Sequence, residues 1–386
     1  MTDLASGDTK ARPSTLFLFP GQSRRARLPD LDRGLVPIDF FYGMPAAQAA
    51  GYQTVIGDTH RDPPGALSRA HLRWEILRNR ISHFGLSRQR VAALAEEISR
   101  FDIALAFTDF FSLSLGLHAD LLPRRPVLCG GFHGLTDLVA HAHPLWRPRY
   151  ERLAARAVAN LDHVFFFGDA DRAEAIRRYG LDEERTSLFP FGVDTAFWSP
   201  DHLHGIRPAS EHVLAVGSDH QRDFDTLAAA PTDVEVRILT RLNVTVPPER
   251  SNVRMLKGSF YQSAISDSEL RGMYLDAMAV AVPLKDVNQP SGYSATLQAM
   301  SCGRPVVLSD FRGLWDRQIF RSGENCLLVR PGDRRGMAEA IDALKADPEL
   351  RERIGASALD TARRHFSVER MNKGLIDLLE RVWQDR

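Results

Sequence analysis

The stretch Pro283–Leu308, PLKDVNQPSGYSATLQAMSCGRPVVL, decides the fold because it joins two strands through a loop and a short helix. The apolar run at Ala277–Val282 just before it is typical of a strand that is covered on both faces. Turn residues follow at 283–293, which indicates a loop. The pattern then predicts a helix capped by Ser294 and ended by Gly303, with a second buried strand at 306–308.

A loop that leads from a parallel strand into a helix can bind an anion. Unpaired backbone N–H groups converge at the start of the helix, where the helix dipole is positive. Gln298, one turn inside the predicted helix, can reach a ribose or sugar hydroxyl. The alternative is an ordinary strand–loop–helix corner that binds nothing, and this stretch alone leaves both interpretations open.

Length and composition limit the classes of protein to consider. A chain of 386 residues predicts about two domains, and 44% hydrophobic with 25% charged residues is typical of a globular protein. The formal net charge is zero, so no overall field attracts nucleic acid, and we expect no nucleic-acid partner. Three cysteines that lie far apart argue against a zinc site or a disulfide framework and fit a reducing compartment.

The N-terminal region carries one segment that could contact a membrane. No apolar run approaches the roughly 20 residues of a membrane span, and residues 1–14 lack the apolar core of a signal peptide. We predict that 1–14 is a disordered lead-in. Residues 61–90 interleave arginines with apolar side chains, which is typical of a helix on an anionic membrane surface, whereas the alternative is a solvated helix face. We therefore predict a cytoplasmic protein, and for this segment both peripheral contact with the inner face of the membrane and a solvated helix face stay open.

Short apolar runs alternate with helical stretches through both halves of the chain. This pattern predicts an α/β fold of two Rossmann-like, doubly wound domains that face each other across a cleft. The first domain is predicted at 15–200 and the second at 201–366, with a C-terminal helix in 367–386 that packs back on the first domain. Within the first domain, the pattern predicts a helix over Ile38–Ala50.

Such a cleft suits transfer between a phosphate-bearing donor and a second molecule. A helix dipole contributes only about 0.3–1 kcal/mol per charge, whereas a charge-assisted hydrogen bond adds about 1.5–3 kcal/mol. A diphosphate therefore needs fixed cations, and Arg222 and Lys285 are the candidates. His133 follows a predicted strand and can donate to a sugar hydroxyl or accept a proton, unless it is a satisfied interior histidine.

Four motifs in a fixed order carry a resemblance to a known family. They are Phe189–Phe197 (FPFGVDTAF), Val213–Gly217 (VLAVG), Ser291–Val307 and Gly323–Asp333 (GENCLLVRPGD). This series resembles the GT-B glycosyltransferases, specifically the large family 4 type. The similarity extends from Phe166 to the C-terminus and is weaker in the first half.

The resemblance implies transfer of a sugar from a nucleotide-diphosphate sugar to an acceptor hydroxyl, with no resident cofactor and no metal. It favours a retaining over an inverting mechanism. The acceptor would be a glycan, a lipid-linked sugar or a small molecule, in polysaccharide, glycolipid or cell-envelope glycan synthesis. Together with the candidates selected above from the residues themselves, the predicted site residues are His133, Arg222 and Lys285 as catalytic, and Gly21, Gly217, Ser291, Gly292, Tyr293, Ser294 and Gln298 as donor-binding.

The chain departs from the family at two places. The family has two glutamates eight positions apart in the 283–308 stretch, and here Gln298 stands at the second and Pro290 at the first. Gln289 and Asp286 are candidates to replace the first. One of the two phosphate-binding cations is missing, which leaves Arg222. The alternatives that stay open are a natural-product glycosyltransferase, a GT-B-fold sugar-nucleotide epimerase and a non-catalytic sugar-nucleotide-binding scaffold.

Overall fold

The computed structural model describes residues 12–202, 211–257 and 265–384. In this part of the chain, twelve strands form two six-stranded parallel sheets, which confirms the prediction of two Rossmann-like domains. Most of the predicted lead-in, residues 1–11, lies outside the described residues. The strands are β1 (Thr15–Phe19), β2 (Thr54–Asp58), β3 (Ile103–Ala106), β4 (Val127–Phe132), β5 (His163–Phe166), β6 (Thr186–Leu188), β7 (Val213–Val216), β8 (Val236–Thr240), β9 (Val253–Lys257), β10 (Ala279–Val282), β11 (Val306–Ser309) and β12 (Leu327–Val329).

The strand order places a crevice in each sheet. The first sheet runs β2-β1-β3-β4-β5-β6 and the second runs β12-β11-β10-β7-β8-β9. The direction of winding reverses between β1 and β3 and between β7 and β10. Ligands of open α/β sheets bind outside the carboxyl ends of the strands at such a reversal. The fold therefore points to the loops after β1, β3, β7 and β10.

Helices cover both faces of each sheet, so the strands read as continuous apolar runs rather than alternating ones. No helix in the described ranges is long and apolar enough to cross a membrane. Short 3₁₀ turns lie at Ile38–Phe41, Ala119–Leu121, Glu183–Arg185 and Pro200–His202. The α-helices are α1 (Ser23–Ala26), α2 (Leu28–Leu31), α3 (Met44–Ala49), α4 (Ala66–Ser82), α5 (Arg88–Ile98), α6 (Asp109–Leu117), α7 (Leu135–Ala140), α8 (Arg147–Ala159), α9 (Asp169–Tyr179), α10 (Phe224–Ala228), α11 (Asp267–Asp276), α12 (Tyr293–Ser301), α13 (Arg334–Ala346), α14 (Pro348–His365) and α15 (Val368–Gln384).

The single helix predicted over Ile38–Ala50 is wrong. The chain forms a 3₁₀ turn, breaks at Tyr42 and Gly43, and only then enters α3. Both break residues have left-handed backbone angles, with φ of 51° and 80°. Gly43 is also in close contact with α15, because an added Cβ there would lie 2.9 Å from Leu375 Cδ2. A tertiary contact thus decides where this helix begins.

The start of α12 also differs from the prediction. The helix begins at Tyr293, and Gly292 stands at the cap position with a φ of 83°. Ser294 therefore lies inside the first turn rather than capping it. Gly303 does adopt the predicted left-handed conformation at the other end, with a φ of 68°.

The chain crosses between the domains twice, and the two crossings lie side by side. The Val193 N–H donates to the Phe366 carbonyl at 2.8 Å, and the Val368 N–H donates to the Val193 carbonyl at 2.9 Å. After the second crossing, α15 packs against α3 through Leu375. The domain limits at 200 and 366 stay a prediction, and residues 203–210 beside the first limit lie outside the described residues.

Candidate active site

A cleft of about 540 Å³ opens between the carboxyl ends of the two sheets. The loops after β1, β3 and β4 form one wall, and the loops after β7 and β10 together with α12 form the other. Most of the residues selected from the sequence meet here, although they are far apart in the chain. Those that line the cleft are His133, Gly217, Arg222, Ser291, Gly292, Tyr293, Ser294 and Gln298.

Arg222 is a buried cation without a counter-ligand on two of its nitrogen atoms. Its side chain is only 8% exposed, and Nε and Nη1 have no hydrogen-bond partner. Burial lowers the pKa of Arg222, and the nearby Asp219 acts in the opposite direction. Buried donors are nearly always paired in folded proteins. An unpaired guanidinium that lines a cleft therefore points to an anionic ligand.

Two glycines allow the backbone to approach Arg222 closely. A Cβ on Gly217 would lie 2.5 Å from Arg222 Nε, and a Cβ on Gly292 would lie 3.3 Å from Nη1. Both glycines also have positive φ angles, 149° and 83°, which other residues rarely adopt. The guanidinium is thus held between the end of β7 and the start of α12.

The start of α12 supplies further hydrogen-bond donors to the same place. Its first-turn N–H groups lack intrahelical acceptors, as in every helix, and the positive end of the helix dipole lies there. The hydroxyl of Ser291, just before the helix, is buried and has no hydrogen-bond partner. Arg222, Ser291 and the helix amides together form a site suited to a phosphate group.

Gln298 lies one turn further along α12 and its orientation is fixed by a buried tyrosine. The Tyr274 hydroxyl donates to Gln298 Oε1 at 3.3 Å. Burial raises the pKa of Tyr274 well above its ordinary value, so the hydroxyl stays protonated. The amide oxygen of Gln298 therefore faces Tyr274, and its amide nitrogen is left to donate to a ligand.

His133 faces the phosphate site from the first domain. Its ring stacks on Phe167 with the centroids 4.1 Å apart, and its backbone N–H donates to Asp109 Oδ1 at 3.1 Å. Nε2 lies 3.2 Å from the Phe107 carbonyl oxygen. A carbonyl only accepts, so Nε2 carries the proton and Nδ1 of the neutral ring is the acceptor. The protein thus provides a hydrogen-bond partner for Nε2 of His133, and Nδ1 can bind a ligand.

Two of the selected residues do not reach the cleft. Lys285 is exposed, its Nζ donates to the His220 carbonyl at 2.9 Å, and it is not among the residues that line the cleft. Gly21 takes a positive φ of 70° in the loop after β1, where the neighbouring Pro20 lines the cleft instead. The expected roles of Lys285 and Gly21 therefore stay predictions.

Four acids line the cleft that no sequence motif marks: Asp39, Asp109, Asp219 and Asp267. Asp109 and Asp219 are polar residues that follow the ends of β3 and β7 at a distance of three positions, and this position was the available signal. Asp39 has no comparable signal because its surroundings come from distant parts of the chain. Its Oδ1 accepts from the Asp194 N–H at 2.9 Å and from Trp198 Nε1 at 3.4 Å.

Burial raises the pKa of Asp39 to about 7, which predicts a pH-dependent stability. Between pH 4 and 7 the unfolded chain loses this proton before the folded chain does, so stability falls as pH rises through this range. At 1.36 kcal/mol per pKa unit, the wild type should lose about 2 kcal/mol more than Asp39→Asn between pH 5 and pH 7. Denaturant unfolding of both proteins at several pH values measures the difference, and a difference independent of pH would contradict the assignment.

Comparison with protein families agrees with this geometry. Residues 45–197 match the sequence model of Glycosyltransferase Family 4, and residues 212–347 match that of Glycosyl transferases group 1. The chain belongs to the family 4-like glycosyltransferases of the GT-B fold. Each family match covers most of one domain, and the site described above lies between the two.

Curated relatives in this family match part of the chain. A D-inositol 3-phosphate glycosyltransferase of Pseudarthrobacter chlorophenolicus is 28% identical over 53% of this chain and 51% of its own length. The enzyme of the same name from Stackebrandtia nassauensis is 36% identical over 54% of this chain and 52% of its own. The chain thus spans about half the length of these relatives.

Two solved structures match the chain over almost its whole length. Sucrose-phosphate synthase from Thermosynechococcus elongatus has a TM-score of 0.67 at 16% identity, covering 97% of this chain and 100% of that one. Anabaena HepE in complex with UDP-glucose has a TM-score of 0.63 at 16% identity, covering 96% and 100%. At this identity the likeness shows a shared GT-B fold.

Proposed function

We propose that the protein is a glycosyltransferase that moves a sugar from a nucleotide-diphosphate sugar to an acceptor hydroxyl. The observation that carries the proposal is Arg222, a buried cation with unpaired nitrogens beside the N-terminus of α12. Family membership favours the same activity, and HepE binds UDP-glucose. The relatives bear names of inositol phosphate and lipopolysaccharide core transferases. We accordingly propose a glycan, lipid-linked or small-molecule acceptor in glycan synthesis.

In the proposed reaction, the wall of the cleft that carries Arg222 and α12 stabilises the leaving diphosphate. The bond between the anomeric carbon and the diphosphate oxygen breaks, and the diphosphate leaves with the electron pair. Arg222, Ser291 and the α12 amides stabilise the charge that develops on it. An acceptor hydroxyl oxygen bonds to the anomeric carbon and passes its proton to the leaving diphosphate. If the acceptor oxygen bonds on the same face of the sugar that the diphosphate leaves, the anomeric configuration is retained.

Ribose and sugar would occupy the two sides of the phosphate site. Gln298 would donate to a ribose hydroxyl, since its amide oxygen is already occupied by Tyr274. His133, on the opposite wall, would accept a hydroxyl proton of the transferred sugar through Nδ1. Each nitrogen so used lacks a partner in the geometry described above, which supports these roles.

A ligand panel tests the proposal. Thermal unfolding in the presence of nucleoside diphosphates and their sugars, at 100 times the dissociation constant, should reveal a stabilisation of about 2.7 kcal/mol by one base. We propose that no metal takes part, so EDTA should leave this shift unchanged within error. Release of nucleoside diphosphate only when an acceptor is added identifies a transferase. Release without an acceptor favours the epimerase, binding without turnover favours the scaffold, and no shift with any nucleotide contradicts the donor site.

We further propose that α4 lies on an anionic membrane surface. Four large apolar side chains share one exposed face of this helix: Leu67, Trp74, Leu77 and Ile81. Leu67 is 80% exposed and Trp74 is 62% exposed. Isolated exposed apolar residues are normal, but a contiguous group marks an interaction site.

Neighbouring segments extend this face. The His143 N–H donates to the Ser82 carbonyl at the end of α4, which brings the exposed Leu145 close. The exposed arginines 69, 73 and 80 of α4 form no ion pair in the part of the chain that the structure describes. Apolar side chains among unpaired arginines match the chemistry of an anionic bilayer.

The triple variant Trp74→Ser, Leu77→Ser, Ile81→Ser should bind phosphatidylglycerol-containing vesicles at least about tenfold more weakly than the wild type, because each side chain buries apolar surface in the membrane. Vesicle co-sedimentation at two salt concentrations measures the loss. Leu188→Ser, an exposed apolar residue on β6, is the control and should bind like the wild type. Equal binding by the triple variant, or no preference for anionic over neutral vesicles, would contradict the proposal.

A further inference from the structure

The residue at the position of the family's first glutamate lines the cleft but has no side-chain group that can form a hydrogen bond with a sugar. Pro290 stands there and packs against the first domain, since a Cβ on Gly168 would lie 3.0 Å from Pro290 Cγ. The side chain of the neighbouring Gln289 also lines the cleft, and it does carry hydrogen-bonding groups. It fills the space beside Gly134, where an added Cβ would lie 2.8 Å from Gln289 Cβ. Gln289 is therefore next to the turn that carries His133.

The Gln289 amide is oriented by two residues of the loop after β7. Nε2 donates to Asp219 Oδ2 at 2.9 Å, and Oε1 faces Gln221 Nε2 at 3.5 Å. A carboxylate only accepts, so the amide nitrogen must face Asp219. Asp219 is fixed in turn, because its Oδ1 accepts the Gln221 N–H at 2.7 Å.

These contacts leave two hydrogen-bonding groups that can still bind a ligand. The second proton on Gln289 Nε2 can donate, and a lone pair on Asp219 Oδ2 can accept. Both residues line the cleft between His133 and Arg222, which is where a sugar attached to a bound diphosphate would lie. A pair of hydroxyls, each able to donate and accept, satisfies both groups.

Resting on the proposed function, we propose that Asp219 and Gln289 bind the transferred sugar and select a neutral hexose. A uronic acid would place its carboxylate against that of Asp219, while Arg222 is occupied by the diphosphate. Asp286, the other candidate in this loop, is ion-paired with Arg312 at 3.1 Å and does not line the cleft.

Calorimetric titration with three ligands tests the assignment. They are the nucleoside diphosphate of the base that the wild type prefers, its hexose ester and its uronic acid ester. The variants are Asp219→Asn and Gln289→Ala, and Asp286→Asn is the control on the same loop. Loss of a hydrogen bond should weaken hexose ester binding about tenfold in both variants. The affinity of each variant for the free diphosphate should stay within about threefold of the wild-type affinity. Asp219→Asn should bind the free diphosphate more tightly than Gln289→Ala, because the negative charge of Asp219 is gone.

Asp219→Asn should also bind the uronic acid ester more tightly than the wild type, whereas Asp286→Asn should match the wild type for all three ligands. If a variant binds the free diphosphate and the hexose ester with equally weakened affinity, the inference is overturned. It is also overturned if both variants discriminate between the hexose ester and the uronic acid ester as the wild type does. Either result leaves the donor site intact. If the wild type binds no nucleoside diphosphate, the proposed function fails, and this inference fails with it. Ligand-free melting temperatures confirm that each variant is folded.

Discussion

Replacing Arg222 by methionine is expected to make the ligand-free protein more stable while removing its ability to bind nucleotide. The guanidinium is buried with two unpaired nitrogens, and a buried unsatisfied donor costs about 1–3 kcal/mol. Methionine has a similar length and no polar group, so this cost disappears. Binding should weaken at least about 100-fold, because two charge-assisted hydrogen bonds of about 1.5–3 kcal/mol each are lost.

Lys285→Met is the matched control for this change. Lys285 is exposed and bonds only to a backbone carbonyl, so the same substitution should alter neither stability nor nucleotide affinity by more than about 0.5 kcal/mol. Denaturant unfolding and calorimetric titration measure both quantities. A less stable Arg222→Met protein would show that the guanidinium holds the fold together. Nucleotide affinity close to that of the wild type would place the phosphate elsewhere.

Gly292→Ala is expected to damage both the fold and the binding site. An L-residue at this φ of 83° costs about 1–2 kcal/mol, and the new Cβ would lie 2.8 Å from Val282 Cγ1. Overpacking adds about 1–3 kcal/mol, so the total loss of stability should be about 2–5 kcal/mol. Nucleotide affinity should fall as well, because relief of the contact moves the start of α12 away from Arg222.

Gly303→Ala separates backbone strain from crowding. Gly303 ends the same helix with a φ of 68°, and an added Cβ there meets no atom within 4 Å. This variant should lose only the strain of about 1–2 kcal/mol and should bind nucleotide normally. Equal losses of stability in the two variants would mean that crowding at Gly292 is unimportant.

The sequence was informative where the pattern was local. The strand–loop–helix–strand order of 283–308 follows from apolar runs and turn residues, and β10, α12 and β11 occur in this order, although the cap of α12 is Gly292 and not Ser294. The two-domain α/β fold follows from the repeated alternation of such runs. Arg222 and Gln298 were selected for their place in this pattern, and both line the cleft.

The sequence was uninformative where distant residues decide the conformation. The break at Gly43 depends on contact with Leu375, and the orientation of Gln289 depends on Asp219, which precedes it by 70 positions. Asp39 acquires its high pKa from burial that no local pattern shows. Lys285 does not line the cleft, since a residue's place in the chain does not decide which way a flexible side chain points.

The paired crossings at Val193 and at Phe366–Val368 have a consequence for recombining this protein with its relatives. A chimaera joined once, near residue 200, would take its second half and α15 from the same parent. The helix would then meet a foreign α3, and the close fit of Leu375 on Gly43 and of Gly374 on Pro190 would be lost. An exchange of the whole first domain therefore requires two junctions, with residues 367–384 inherited together with that domain.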